Sequence, residues 1–183
     1  GLYLKFNGNK YTLIDFKLLS LIRDNIKPNM FFKSMTILGN VESYFIIFIP
    51  VSIYLLFRRN YAEFVTILFA ILIAVLTMQV FKNIFQRVRP EEFFAVNQGG
   101  FSYPSGHSIT SAATYWTIFR ILKIKKVNAI VLIPFLLIPF LIGFSRLALG
   151  VHWPTDVIFG LLLGYSISMI SIDLYNKLKV KYD

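Results

Sequence analysis

Cysteine is absent from the 183 residues. Its absence excludes disulfides and thiolate chemistry but fixes no redox compartment. Charge is scarce as well: Asp, Glu, Lys and Arg make up 15% of the chain, and nine acidic residues face nineteen basic ones. That is too little charge for an ordinary water-soluble surface. Histidine is limited to His107 and His152, so any imidazole chemistry rests on these two. Internal repeats and low-complexity tracts are lacking, which leaves no signature of a solenoid or a disordered tail.

What is present is apolar: 56% hydrophobic residues and a mean hydropathy of +0.64 point to lipid as the solvent. Because a helix needs about 20 residues to cross a bilayer, the length suits one compact all-α bundle of about five spans. Residues 1–183 are therefore expected to form a single integral membrane domain, with no room for a second. A net charge of +10 in a soluble protein would suggest nucleic acid. In a membrane protein it fits basic cytoplasmic loops, so membrane lipids rather than nucleic acid are the expected surroundings. The chain opens on Gly1 without a signal-peptide pattern, and an upstream segment is expected to precede it.

Residues 11–27 put Ile14, Leu18, Leu21, Ile22 and Ile26 on one helical face and Lys17, Ser20, Asp24 and Lys27 on the other. An amphipathic segment of this kind lies on a membrane rather than crossing it. Apolar runs then predict spans near 41–57, 64–81, 108–122, 129–144 and 157–172. The run at 108–122, "SITSAATYWTIFRIL", is the least apolar, and its small residues predict packing inside the bundle. Pro134 and Pro139 are expected to kink the span at 129–144.

Alternation of these spans puts "KNIFQRVRP", "PSGH" and "SRLALGVHWPTD" at span ends on one membrane face. Lys82 and Arg89 are seven residues apart, about 700° on a helix, so both would share a helical face. Together with Arg146 they would attract an anion. Any one of these cations alone would ordinarily just snorkel to lipid headgroups. His152 precedes Asp156 by four residues, one helical turn. The carboxylate could accept a hydrogen bond from one ring nitrogen and leave the other as a nucleophile. Pro154 suits the first turn of a helix, where Asp156 would also be favoured by the dipole. Ser105 and Gly106 form a turn before a helix whose backbone N–H groups could hold phosphate oxygens, a weak signal by itself.

These three segments resemble the signature of the type 2 phosphatidic acid phosphatase family: K-x6-R-P, P-S-G-H and S-R-x5-H-x3-D. Lys82–Pro90, Pro104–His107 and Ser145–Asp156 match it in order and spacing. The resemblance implies a membrane lipid phosphatase. His152 would be the nucleophile, forming a phosphohistidine, and Asp156 would orient it. Lys82, Arg89, Arg146, Ser105 and Gly106 would bind the phosphate. His107 would protonate the leaving oxygen and then activate water, and Ser145 would support the site. It implies no metal and no cofactor. Family members commonly have six spans, so a sixth would precede Gly1.

The same signature occurs in vanadate-dependent haloperoxidases, but those are soluble, and five hydrophobic spans favour the lipid phosphatase. A lipid transporter or scrambler keeping the fold, or a pore with a basic vestibule, are the alternatives of another class. The resemblance implies a lipid phosphate or diphosphate substrate of the undecaprenyl diphosphate, phosphatidylglycerol phosphate or phosphatidic acid type. Arg87 would be an extra cation for a diphosphate, although two residues from Arg89 on a helix it would point away. Phe93, Phe94, Phe101 and Tyr103 would form an aromatic belt or shape the tail's entrance. A bacterial cell membrane is expected. Arg58, Arg59, Arg120, Lys123, Lys125 and Lys126 in the opposite loops predict a site on the extracytoplasmic face. Nothing in the sequence points to an oligomeric state.

Overall fold

Among the described residues, 12–182 of the computed structural model, all regular structure is helical. Tyr11, the expected start of the amphipathic segment, lies outside them. The helices are α1 (Leu13–Asn25), α2 (Met30–Ile37), α3 (Val41–Phe57), α4 (Tyr61–Phe85), α5 (Gly106–Ile124), α6 (Ala129–Ala148) and α7 (Pro154–Tyr182), with a 3-10 turn at Glu91–Phe93. By length and composition α4, α6 and α7 can cross a membrane, and α3 carries a shorter apolar stretch, Ile46–Phe57. The apolar residues exposed on α3, α4, α6 and α7, such as Ile46, Leu76, Ile130 and Ile170, suit lipid better than water.

The centre of the bundle is α5, packed by α4, α6 and α7. It is also the helix whose sequence is least apolar, and the reason is local. Three of its buried hydroxyls bond back to their own helix: Thr110 to Gly106 O (2.8 Å), Ser111 to Ser108 O (3.2 Å) and Thr117 to Ala113 O (2.6 Å). Polar atoms satisfied this way cost little to bury, and small side chains let neighbouring backbones approach. Helices α5 and α7 approach closely at Gly164 of α7, where a Cβ would lie 2.5 Å from the Ala112 Cβ and 2.6 Å from the Ile109 carbonyl oxygen. Gly160, one turn earlier, faces Ser108 and the Ser105 carbonyl in the same way. Gly164→Val is expected to destabilise the bundle by about 1–3 kcal/mol or more through overpacking. Thermal unfolding in detergent checks this, with Gly99→Ala as the neutral control because a Cβ there meets nothing.

The C-terminal ends of α4 and α6 and the N-terminal ends of α5 and α7 meet at one end of the bundle, beneath the 86–105 loop. Gly150 anchors that loop: its φ of +69° is easy only for glycine, and a Cβ there would overlap the Phe93 carbonyl. Ala95 N–H also donates to Leu149 O at 3.0 Å. Helix α1 closes the same end, with its expected apolar stripe facing outward, as a helix lying on a membrane would. Asp15 and Leu19 are fully buried, whereas Ile14, Leu18 and Leu21 of the expected apolar face are exposed. Arg23 fastens α1 to the last turn of α6 by donating to Ala148 O at 2.8 Å. The helix therefore docks on protein with its Asp15 side and leaves its apolar stripe outward.

Candidate active site

Helix α4 stops at Phe85, because Gln86 adopts a left-handed conformation (φ 45°) and its N–H closes on Lys82 O at 2.9 Å. Pro90 further disfavours helical backbone at Arg89. The expected shared helical face of Lys82 and Arg89 is thus incorrect. They converge instead because the loop returns, tied by Ser102 N–H to Arg87 O at 2.7 Å. Lys82, Arg89, Gly106, His107 and His152 line one cavity of about 350 Å³. Asn40, Gln98, Thr110, Met78 and Gly39 complete its wall.

Lys82 and Arg89, which line this cavity, and Arg146, which does not line it but bonds the lining residue Gln98, share one property: their partners are neutral. Lys82 Nζ donates to Phe101 O at 2.6 Å. Arg89 donates to the carbonyls of Gly99, Gly100 and Phe101 (3.1, 2.9 and 3.3 Å) and to Val151 O at 2.6 Å. Arg146, 2% exposed, donates to Gln98 Oε1 at 2.6 Å and to Thr36 Oγ1. Buried charges are ordinarily paired with opposite charge. Here the positive charge is oriented but not neutralised, the condition for capturing an anion. Burial pushes the Arg89 guanidinium down to about 10, a fall that the Asp156 carboxylate opposes, and it remains charged at neutral pH.

His152 stands at the floor of this cationic site, 1% exposed. Its Nε2 lies 3.1 Å from Arg89 Nη1, which can only donate, so Nε2 is the acceptor and Nδ1 carries the proton. Nδ1 is 3.5 Å from Asp156 Oδ2. Burial first, then Arg89, Arg146 and Lys82, hold the imidazole well below its usual 6.5, leaving a lone pair on Nε2 at neutral pH. The two residues do not share a helix, as the four-residue spacing had suggested. Helix α7 begins at Pro154, and Asp156 in its first turn reaches back to accept Trp153 N–H at 3.0 Å. The acidic residue favoured at a helix N-terminus and the partner of His152 are therefore the same carboxylate.

The other expected site residues divide. His107, in the first turn of α5, borders the cavity and donates Nε2–H to Asn40 Oδ1 at 2.6 Å. Gly106 borders it too. Ser105 is fully buried behind the wall: its Oγ accepts from Ser108 Oγ at 3.0 Å and its N–H donates to Asp156 O at 3.0 Å. Ser145 donates to Ile142 O at 2.7 Å within its own helix. Arg87 is no spare cation. It lies 2.5 Å from both Asp15 Oδ2 and Asp156 Oδ1, so its charge is already paired. Tyr103 is buried and so is not a belt residue. Tyr103 packs edge-on against Phe85 and Phe159, and Phe93 against Phe16 and Trp153.

Five residues at or behind the cavity escape sequence reasoning: Asp15, Thr36, Asn40, Gln98 and Ser102. Ser102 Oγ donates to Asp156 Oδ2 at 2.5 Å and lies 3.4 Å from His152 Nδ1. It holds the carboxylate from the side opposite Arg87. None of the five lies within the three signature segments, so the motifs do not signal it.

The PAP2 superfamily matches residues 63–179, nearly two thirds of the chain and all three signature segments. The chain belongs to this family. Its alignment with phosphatidylglycerophosphatase B of Bacillus subtilis (strain 168) is 40% identical over 91 residues, 47% of this chain and 45% of that protein. Undecaprenyl-diphosphatase of Sulfolobus acidocaldarius is 31% identical over 136 residues, 70% of this chain and 63% of that protein. The chain thus aligns with less than two thirds of the length of either relative. Among solved structures, a transmembrane PAP2-type phosphatidylglycerolphosphate phosphatase from Bacillus subtilis superposes with a TM-score of 0.82 at 27% identity, over 90% of this chain and 85% of that one. Aquifex aeolicus LpxE superposes with a TM-score of 0.73 at 25% identity, over 90% of this chain and 98% of that one. The all-helical membrane fold of this PAP2 protein is therefore shared with a solved transmembrane PAP2-type phosphatase. Helices α1, α2 and α3 and the Asn40 cap of α3, and with them Asp15, Thr36 and Asn40, precede the residues that match the superfamily.

Proposed function

We propose that this PAP2 protein is a membrane lipid phosphatase working through a phosphohistidine. The observation that carries the reading is the orientation of His152: it lines a cavity whose lining cations have neutral partners, with Nε2 toward Arg89 and Nδ1–H toward Asp156. In the first step Nε2 attacks phosphorus and the bond to the lipid oxygen breaks. Lys82, Arg89 and Arg146 stabilise the charge on the phosphoryl oxygens, with the Gly106 backbone beside them and Ser105 supporting that turn from behind. His107 gives the leaving oxygen its proton. In the second step His107 takes a proton from water, the water oxygen attacks phosphorus, and the P–N bond breaks to release inorganic phosphate. The cations of the chain carry the charge that a metal would otherwise carry, so the reaction is read as metal-independent.

The substrate class is a lipid phosphate or diphosphate whose tail stays in the bilayer, in keeping with the names of the relatives. Undecaprenyl diphosphate, phosphatidylglycerol phosphate and phosphatidic acid are the candidates. The site is read as extracytoplasmic in a bacterial membrane, because Arg58, Arg59, Arg120 and Lys123 lie near the opposite helix ends. The test is phosphate release from these three lipids by purified protein with chelator present. Release from at least one is expected. Because the His152 imidazole is held well below its usual value, it stays neutral as pH falls through 6.5, so kcat/KM should not lose its nucleophile there. Release from none by folded protein would favour the transport reading.

A further inference from the structure

Behind His152, Asp156 belongs to a chain of three buried charges whose other two members, Arg87 and Asp15, the transfer steps above do not use. Arg87 bridges Asp156 on α7 and Asp15 on α1, 2.5 Å from each. The Asp15 carboxylate also accepts Thr155 N–H at 2.9 Å and Thr155 Oγ–H at 2.8 Å, and Arg87 Nη1 donates to Thr155 Oγ1 at 2.7 Å. Both Asp15 oxygens are therefore engaged with Arg87 or with the first turn of the helix that carries Asp156. A surface helix that needed only apolar docking would not bury a carboxylate completely.

The charges explain its use. Asp156 paired with Arg87 alone is neutral as a unit, and such a unit stabilises positive charge on His152 poorly. Asp15 on the far side of Arg87 makes the unit Asp15, Arg87, Asp156 net negative by one. That negative charge lies behind Nδ1, where positive charge develops as Nε2 bonds to phosphorus. Resting on the phosphohistidine reading, we infer that Asp15 is a positioning residue for phosphoryl transfer. Through Arg87 and Thr155 it holds Asp156 toward His152 and restores the negative charge that Arg87 cancels.

The groups that face His152 are Lys82 of α4, Arg89 of the loop, His107 of α5, Arg146 of α6 and Asp156 of α7. All are unchanged in Asp15→Asn and in the double variant Asp15→Asn/Arg87→Gln, so differences report Asp15 and Arg87. The full chain is assayed in detergent with whichever of phosphatidic acid, phosphatidylglycerol phosphate or undecaprenyl diphosphate the wild type hydrolyses. Asp15→Asn should lower kcat about tenfold, a typical size for loss of one oriented charge, and leave KM within about twofold. The acid limb of kcat/KM should move down by about 0.5–1 pH unit, the low end for a charge beyond direct contact. The double variant regains the net charge of the wild-type unit, and its limb should return to the wild-type position.

A folded Asp15→Asn protein with wild-type kcat and limb overturns the inference. So does a loss of kcat in both variants with an unmoved limb, because that is packing alone. If Asp15→Asn does not fold, the double variant decides: a limb at the wild-type position supports the role of Asp15, and a limb raised by the loss of Arg87 overturns it. Acid-labile phosphoenzyme is measured by rapid quench of the wild type in parallel. Its absence would sink the phosphohistidine reading itself, independently of any Asp15 result.

Discussion

His152→Ala is expected to fold and to release phosphate at least about 10⁴-fold more slowly than the wild type, the scale of losing a nucleophile. No other described side chain has its position. Nε2 is an unprotonated nitrogen on the cavity wall, and the remaining imidazole, His107, has its Nε2–H engaged with Asn40. The fold should tolerate the change, because Asp156 keeps Arg87, Ser102 and the Trp153 N–H as partners. Arg89 keeps its four carbonyl acceptors. Far-UV circular dichroism and thermal unfolding in detergent separate lost chemistry from lost structure. Retained turnover at a tenth of the wild-type rate or more would remove His152 from the nucleophile's role.

Arg89→Ala should cost about 10²–10³-fold in kcat/KM, the range for deleting one preorganised donor that meets developing charge. It should also loosen the loop, because the same guanidinium bonds Gly99, Gly100, Phe101 and Val151. Arg89→Lys should restore little. An ammonium offers a point charge and cannot hold several carbonyls and His152 from one rigid plane. The measurement is kcat and KM for both variants, with limited proteolysis of the 86–105 loop as the readout of its order. If Arg89→Lys matched the wild type, charge alone would be its contribution, and the planar geometry would carry no weight.

The sequence makes the chemistry legible where it is local. His107, His152 and Asp156, and the cations Lys82, Arg89 and Arg146, stand in short segments at the ends of apolar runs, and alternation alone brings those ends to one face. Residue type made them candidates, because few side chains can hold a phosphate or donate a lone pair. The polar run at 108–122 could likewise be assigned to the bundle interior, since small residues and self-satisfied hydroxyls suit close helix packing. Geometry was less legible. Helical periodicity misjudged how Lys82 and Arg89 meet, because one left-handed residue, Gln86, ends α4 between them. It also gave no sign that the other side of α1 buries Asp15 against protein, since an amphipathic stripe reports only where the apolar side chains lie.

By itself, then, the sequence determined the solvent of this protein, the helical bundle and the residue types gathered at one membrane face. Only the tertiary structure decided which charges are spent and which are open. Arg87 resembles Arg89 in the sequence, yet one is neutralised by Asp15 and Asp156 while the other has neutral partners. The difference lies in contacts spanning 72 and 69 residues for Arg87 and 63 for Arg89 with His152. Charge compensation is set by distance in space, and separations of that length leave no periodic trace in the chain.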